Sequence, residues 1–144
     1  MSKLTYIDDC QLDHFILKKI ISRYGSSCEV KCTGTCIEVL SLLSQHQSDS
    51  NRLPDIILLD IYSPEFNAWD FLDKVEMMYS TLPKPIEIYI LSACRYPEDV
   101  ERAQKYSFVK AFILKPITKE VLLKLIKQKE SSCSRFVTLE AQVN

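Results

Sequence analysis

A chain of 144 residues, 47% of them hydrophobic, can bury one real core and is too short for two domains of ordinary size. Its 18 Lys and Arg against 19 Asp and Glu leave a net charge of -1, which gives no electrostatic reason to expect nucleic acid or an acidic membrane as partner. No run approaches the roughly 18 apolar residues that span a bilayer, and the start MSKLTYIDDC lacks the apolar segment of a secretory signal, so a cytoplasmic protein is expected.

In that setting Cys10, Cys28, Cys32, Cys36, Cys94 and Cys133 are expected to be reduced thiols. The spacing of Cys28, Cys32 and Cys36 invites a zinc reading. It is weak, because short-spaced pairs are missing and the three residues would straddle a strand, a turn and a helix start. His14 and His46 each fall in a predicted amphipathic helix with no second ligand beside them.

Taken in order, Lys3 to Ile7 reads as a short strand that delivers Asp8 and Asp9 to its end. From Gln11, the positions of Leu12, Phe15, Ile16, Ile20 and Tyr24 predict one apolar face of a helix that Gly25 ends. Cys28 to Cys32 predicts a second strand, and Ile37, Leu40 and Leu43 a second helix, started by a capping box of Thr35 with Glu38 or by Thr33. Pro54 to Pro64 then holds Ile56 to Leu59, four apolar residues closed by Asp60. Continuous apolarity of this kind marks a central parallel strand buried on both faces. Ala68, Phe71, Leu72 and Val75 give a third helix, and Ile86 to Leu91 a strand ending in Ser92-Ala93-Cys94. Pro97, followed by Glu98 and Asp99, opens a short fourth helix. Val109 to Leu114 ends at Lys115-Pro116, and Thr118 caps a last helix carrying Val121, Leu122, Leu125 and Ile126.

Five strands alternating with five helices predict an α/β doubly wound parallel sheet with helices on both faces. Residues 1–130 form the expected domain, and 131–144 a C-terminal tail without an output domain. On such a sheet the carboxyl ends of strands one, three, four and five carry Asp8 with Asp9, Asp60, Ser92 and Lys115, and these ends converge on one crevice. Three carboxylates held close together repel and favour a hard divalent cation such as Mg²⁺. Lys115 and Ser92 suit an anion with several acceptor oxygens. Together the set is that of phosphoryl transfer to a carboxylate nucleophile, Asp60. A plain ion pair of Lys115 with Asp60, and a Ser92 that only caps a helix, is the blander alternative.

The acidic pair Asp8-Asp9, the run Asp60-Ile61-Tyr62-Ser63-Pro64, the pair Ser92-Ala93 and Lys115-Pro116, in this order and at these separations, resemble the receiver domain of bacterial two-component response regulators over roughly residues 3 to 128. The resemblance implies the flavodoxin-like strand order 2-1-3-4-5. It implies phosphorylation of Asp60 by a histidine kinase or histidine phosphotransfer protein. Mg²⁺ would be held by Asp8, Asp9, Asp60 and the Tyr62 carbonyl, and the phosphoryl group by Ser92, Ala93 and Lys115. Ser92 and Phe112 would form a switch, and the bond before Pro116 would be cis. The implied protein is a monomer or weak dimer that docks to another protein and is not an enzyme. Two alternatives remain: a phosphorylation-independent interaction module, and an aspartate-nucleophile phosphatase. The phosphatase would carry a second Asp where this chain has Tyr62.

Overall fold

The computed structural model describes residues 2–24, 27–129 and 137–139. Five parallel strands, β1 (Ser2–Ile7), β2 (Cys28–Thr33), β3 (Ile56–Asp60), β4 (Glu87–Ser92) and β5 (Val109–Leu114), lie in the order β2-β1-β3-β4-β5. The connections carry α1 (Gln11–Tyr24), α2 (Cys36–Gln45), α3 (Ala68–Met78) and α4 (Pro97–Ala103), and α5 (Lys119–Gln128) follows β5.

Alternation along the strands builds two cores from one sheet. On β3, Ile57 and Leu59 pack with the inner faces of α2, α3 and α4, whereas Ile56 and Leu58 pack with α1 and α5. All five β3 residues are buried, which is why the run shows no polar interruption before Asp60. The register of β5 on β4 slips by one between Ile88 and Tyr89, where Val109 pairs with Ile88 but Ala111 with Tyr89. That bulge reverses the parity of β5. Phe112 consequently faces the α2-α3-α4 core, while Ala111 and Ile113 face α1 and α5.

Helix starts follow the expected chemistry at α4 and α5, and α3 gains a cap that the sequence reading did not name. Pro97 opens α4, Thr118 Oγ1 accepts from Val121 N at 3.2 Å, and Asn67 Oδ1 accepts from Asp70 N at 3.0 Å. At α2, Thr35 is the cap and accepts from Ile37 N at 3.2 Å. Glu38 does not complete a capping box. The Thr35 N–H donates to Thr33 Oγ1 at 3.3 Å, and Glu38 accepts from the Thr33 hydroxyl at 2.8 Å.

Two expected faces are corrected. Leu12, Phe15, Ile16 and Tyr24 point outward, with Leu12 65% and Phe15 58% exposed, and the buried side of α1 is His14, Leu17 and Ile21. The helix carries apolar residues around most of its girth, so its spacing fits two stripes, and packing selects the one whose His14 meets the Tyr6 ring edge-on at 5.4 Å. On α2 the inner residues are Cys36, Val39 and Leu43, leaving Ile37 exposed. Gly25, expected to end α1, and Cys133 lie outside the described residues. Within the expected tail, Val137–Leu139 adds a sixth parallel strand beside β5, Phe112 pairing with Thr138. This strand pairs along what would otherwise be an open edge at β5.

At the amino ends of the strands, Asp55 acts as a staple. Its carboxylate accepts from Lys3 N and from Lys84 Nζ, both at 2.9 Å. Burial pushes this carboxyl up, but the Lys84 and Lys3 donors outweigh it and hold it below the ordinary value. A carboxyl depressed by folding stabilises above its unfolded value, and that stability is lost as pH falls through the folded one. Asp55→Asn is therefore expected to cost about 1.5–3 kcal/mol at pH 7, with the gap closing toward pH 2. Urea denaturation at the two pH values checks this, and a gap independent of pH contradicts it.

Candidate functional site

The strand ends bring together what the sequence placed on separate elements. Asp8 follows β1 and is fully buried. Its Oδ2 accepts from the Tyr6 hydroxyl at 2.6 Å and from Lys115 Nζ at 2.7 Å, and its Oδ1 from Cys10 N at 2.9 Å. Asp60, 4% exposed, ends β3 and accepts from Tyr62 N at 3.2 Å, with Lys115 Nζ at 3.6 Å. Asp9 stands beside them, exposed. One oxygen from each of Asp8, Asp9 and Asp60 lies within 4.8 Å of the others.

Charge accounting shows what this arrangement lacks. Three carboxylates against the one Lys115 ammonium leave two negative charges uncompensated among these four side chains. At an effective dielectric of about 20, two unit charges about 5 Å apart repel by roughly 3 kcal/mol. Burial raises the Asp60 carboxyl; Lys115 opposes that rise, and Asp8 adds to it. At Asp8 burial pushes the same way, yet the bonds from Lys115, Tyr6 and Cys10 prevail, and its carboxyl is held below the ordinary value. For Lys115, burial disfavours the charge, but the Asp8 bond and the Asp60 and Asp8 charges raise its ammonium above the usual range. The donor set is all oxygen, compact, and open to solvent at Asp9. Those features fit a hard divalent cation that keeps some of its waters.

The remaining expected residues lie around this cluster. Ser92 is fully buried, its hydroxyl donating to Cys94 O at 2.6 Å and accepting from Cys94 N at 3.1 Å. Ala93 is exposed next to it. The Lys115–Pro116 peptide is cis, and Lys115 N donates to Ser92 O at 2.8 Å. Phe112 is not at the crevice but fully buried, paired with Ile90 two residues before Ser92. Tyr62 is half exposed, and its hydroxyl donates to Asp99. Cys28 and Cys32 lie on β2, and Cys36 begins α2. Burial pushes Cys36 up to about 12 and Cys28 up to about 11, so neither is a ready thiolate.

Two participants escaped the sequence reading. Tyr6 shares a strand face with Asp8 by simple alternation, and its hydroxyl fixes one carboxylate oxygen. Asp13, in the first turn of α1, reaches Lys115 Nζ at 3.5 Å. It stands one turn before Leu17, on the side of α1 that the spacing had assigned to solvent. Asp13, Ile16, Pro116, Ile117 and Tyr6 also line a cleft of about 240 Å³ beside Lys115.

No family model matches this chain, and no curated protein matches it. Solved structures do. A two-component response regulator from Legionella pneumophila superposes with a TM-score of 0.78 at 21% identity, over 91% of this chain and 99% of that one. A two-component response regulator from Cytophaga hutchinsonii gives 0.78 at 22% identity, over 92% and 98% of the two chains. This is the fold of response-regulator receiver domains. The Vibrio cholerae chemotaxis protein CheY4 shares that receiver fold with a TM-score of 0.70 at 21% identity, over 89% of this chain and 98% of its own. At such identities the likeness shows architecture.

The crowding has a measurable consequence for stability. Without divalent ions, Lys115→Ala leaves buried Asp8 without its cation and is expected to cost about 3 kcal/mol. Asp60→Asn removes one of the mutually repelling charges and is expected to match or exceed the parent. Denaturant unfolding at pH 7 in chelator checks both; equal losses in the two variants would contradict the electrostatic reading.

Proposed function

We propose that this protein is a response regulator that accepts a phosphoryl group on Asp60 and changes its protein-binding face in response. The observation that carries the reading is the Asp60 carboxylate itself. It is buried, raised by its surroundings, 3.6 Å from the Lys115 ammonium, and one corner of a three-carboxylate cluster.

In the transfer, an Asp60 oxygen bonds to phosphorus as the bond from phosphorus to the donor's imidazole nitrogen breaks, its electron pair staying on that nitrogen. Mg²⁺, held by Asp8, Asp9, Asp60 and the Tyr62 carbonyl, would neutralise charge on the transferring group. Lys115, freed from part of its duty to Asp60, pairs with a phosphoryl oxygen. The Ser92 hydroxyl now bonds Cys94 O, and on phosphorylation it exchanges that acceptor for a phosphoryl oxygen, with Ala93 N–H beside it. Phe112, paired with Ile90 two residues before Ser92, carries the change to the face of α4, β5 and α5. A ligand shifts such an equilibrium only through contacts that differ between the states, and the Ser92 exchange supplies one. The protein is a stoichiometric acceptor and not a turnover enzyme. Its free thiols Cys10, Cys28, Cys32, Cys36 and Cys94 suit a reducing cytoplasm.

The outward stripe of α1 supports a donor side on this helix. Leu12, Phe15 and Ile16 form an exposed apolar surface alongside the cleft at Lys115, which suits an apolar helix of a histidine kinase or phosphotransfer protein.

The test uses a small acyl phosphate and a histidine-phosphorylated donor protein in parallel. Parent protein is expected to take one label from either source only with Mg²⁺, and Asp60→Asn neither. Phe15→Asp is expected to keep the small-molecule reaction while losing roughly tenfold or more in transfer from the protein donor. Labelling that persists in Asp60→Asn or in chelator would overturn the assignment.

A further inference from the structure

The last strand lies along the sheet edge of the proposed output face. β6 (Val137–Leu139) runs parallel to β5, with Ala111, Phe112 and Ile113 opposite Val137, Thr138 and Leu139. Ala111 and Ile113 pack on the α5 side of the sheet and Phe112 on the α4 side, so this pairing occupies the edge between those two helices. Phe112 stands at its centre. Lys115 N donates inward to Ser92 O on β4, and the alternation of a strand therefore turns the Phe112 N–H and C=O outward. In a parallel pair a residue so turned bonds the two neighbours of its opposite number, here Val137 and Leu139.

The two edges of the sheet are protected differently. β2, at the other end, carries exposed Glu29 and Lys31 and pairs with β1 over six residues. β5 has one charge, Lys110, in VKAFIL, and four of its six residues are buried. Bare, it would be an apolar edge open to any extended chain. Its cover spans three residues, the short end of strand lengths, and pairing of that size opens locally more readily than the core strands do.

We propose that the β5 edge is a strand-addition site for an extended segment of a partner protein, and that β6 is its built-in guard, which such a segment replaces. Main-chain hydrogen bonds give the affinity, so the segment must be extended and carry an N–H where Leu139 carries its own. The regulation of this site rests on the response-regulator reading above. Exchange of the acceptor of the Ser92 hydroxyl acts through Phe112, the residue whose backbone also holds β6, so filling the Asp60 site loosens the guard.

Leu139→Pro removes the N–H that pairs with Phe112 O, and Leu139→Val keeps it on a residue that favours strands. The probe is a fluorescent peptide of residues 134–142, SRFVTLEAQ, added to the full chain. It is expected to bind Leu139→Pro roughly tenfold or more tightly than the parent or Leu139→Val, because a closed edge lowers apparent affinity by the fraction that is open. Amide exchange supplies the second readout. The Phe112 amide is expected to exchange roughly tenfold faster in Leu139→Pro than in the parent, and bound peptide to restore its protection, while Ile113, whose N–H faces β4, keeps the parent rate. With Mg²⁺ and beryllofluoride as a phosphoryl mimic, the parent is expected to move toward Leu139→Pro in both readouts. Equal peptide affinity in the parent and Leu139→Pro, or a Phe112 amide that exchanges freely in the parent, would overturn the guarded site. Beryllofluoride that binds, by its fluorine resonance, yet leaves both readouts unchanged would overturn its regulation. Beryllofluoride that does not bind removes the acceptor reading instead, and the Leu139→Pro results then decide the strand-addition site alone.

Discussion

Three carboxylates, Asp8, Asp9 and Asp60, are held within 4.8 Å of one another with one lysine to share. The fold makes that possible because Asp8 and Asp60 are anchored at the ends of adjacent strands whose other residues are committed to the core. Leu4 to Ile7 and Ile56 to Leu59 are buried, so neither carboxylate can withdraw from the other without disturbing the sheet. Lys115 is placed by the end of β5, its backbone continuing the pairing to Ser92 O. Hydrogen bonds from Tyr6 and Cys10 then commit Asp8 to the charged form, while Asp60, with fewer donors, bears the cost of burial. Repulsion within this cluster is of the kind that a divalent cation would offset. A site that is unfavourable alone and favourable when filled is well suited to a switch.

The place of Phe112, proposed to link that site to the body of the protein, depends on a single register slip. Because β5 bulges opposite β4 between Ile88 and Tyr89, Phe112 turns into the α2-α3-α4 core next to Ile90, two residues from Ser92. Without the slip Phe112 would face α1 and α5, on the far side of the sheet from α4. Along the rim, Tyr62 and Asp99 give α4 a second, more superficial connection to the Asp60 loop. One connection runs through a packed side chain and the other through a surface hydrogen bond. The first is therefore expected to resist solvent and salt more than the second.

Particular residues explain how much of this could be read from the sequence. The uninterrupted Ile56 to Leu59 run, ending in Asp60, placed β3 and its carboxylate because burial on both faces leaves no polar positions to confuse the pattern. Thr118 was legible as the cap of α5 because short-range capping rules depend on only a few residues, whereas Asn67, which caps α3, was not read. The orientation of α1 was not legible. With Leu12, Phe15, Ile16, Leu17, Ile20 and Ile21 all apolar, periodicity admits two stripes, and the choice is made by tertiary contacts such as His14 on Tyr6. Asp13 was missed for the same reason, since it points at Lys115 only in the orientation that the packing selects. The bulge in β5 and the parallel strand Val137–Leu139 depend on pairing partners distant in the chain, and local composition carries no record of them.

The central claim is that Asp8, Asp9, Asp60 and Lys115 form one oxygen-lined pocket that takes a divalent cation and a phosphoryl group together. Its most direct measurement is fluorine resonance of the protein titrated with beryllofluoride, a non-transferring mimic of the phosphoryl group, with and without Mg²⁺. The account predicts one protein-bound fluoride species that forms only when Mg²⁺ is present and that disappears in Asp60→Asn. Binding that needs no Mg²⁺, or that survives the loss of the Asp60 carboxylate, would contradict it.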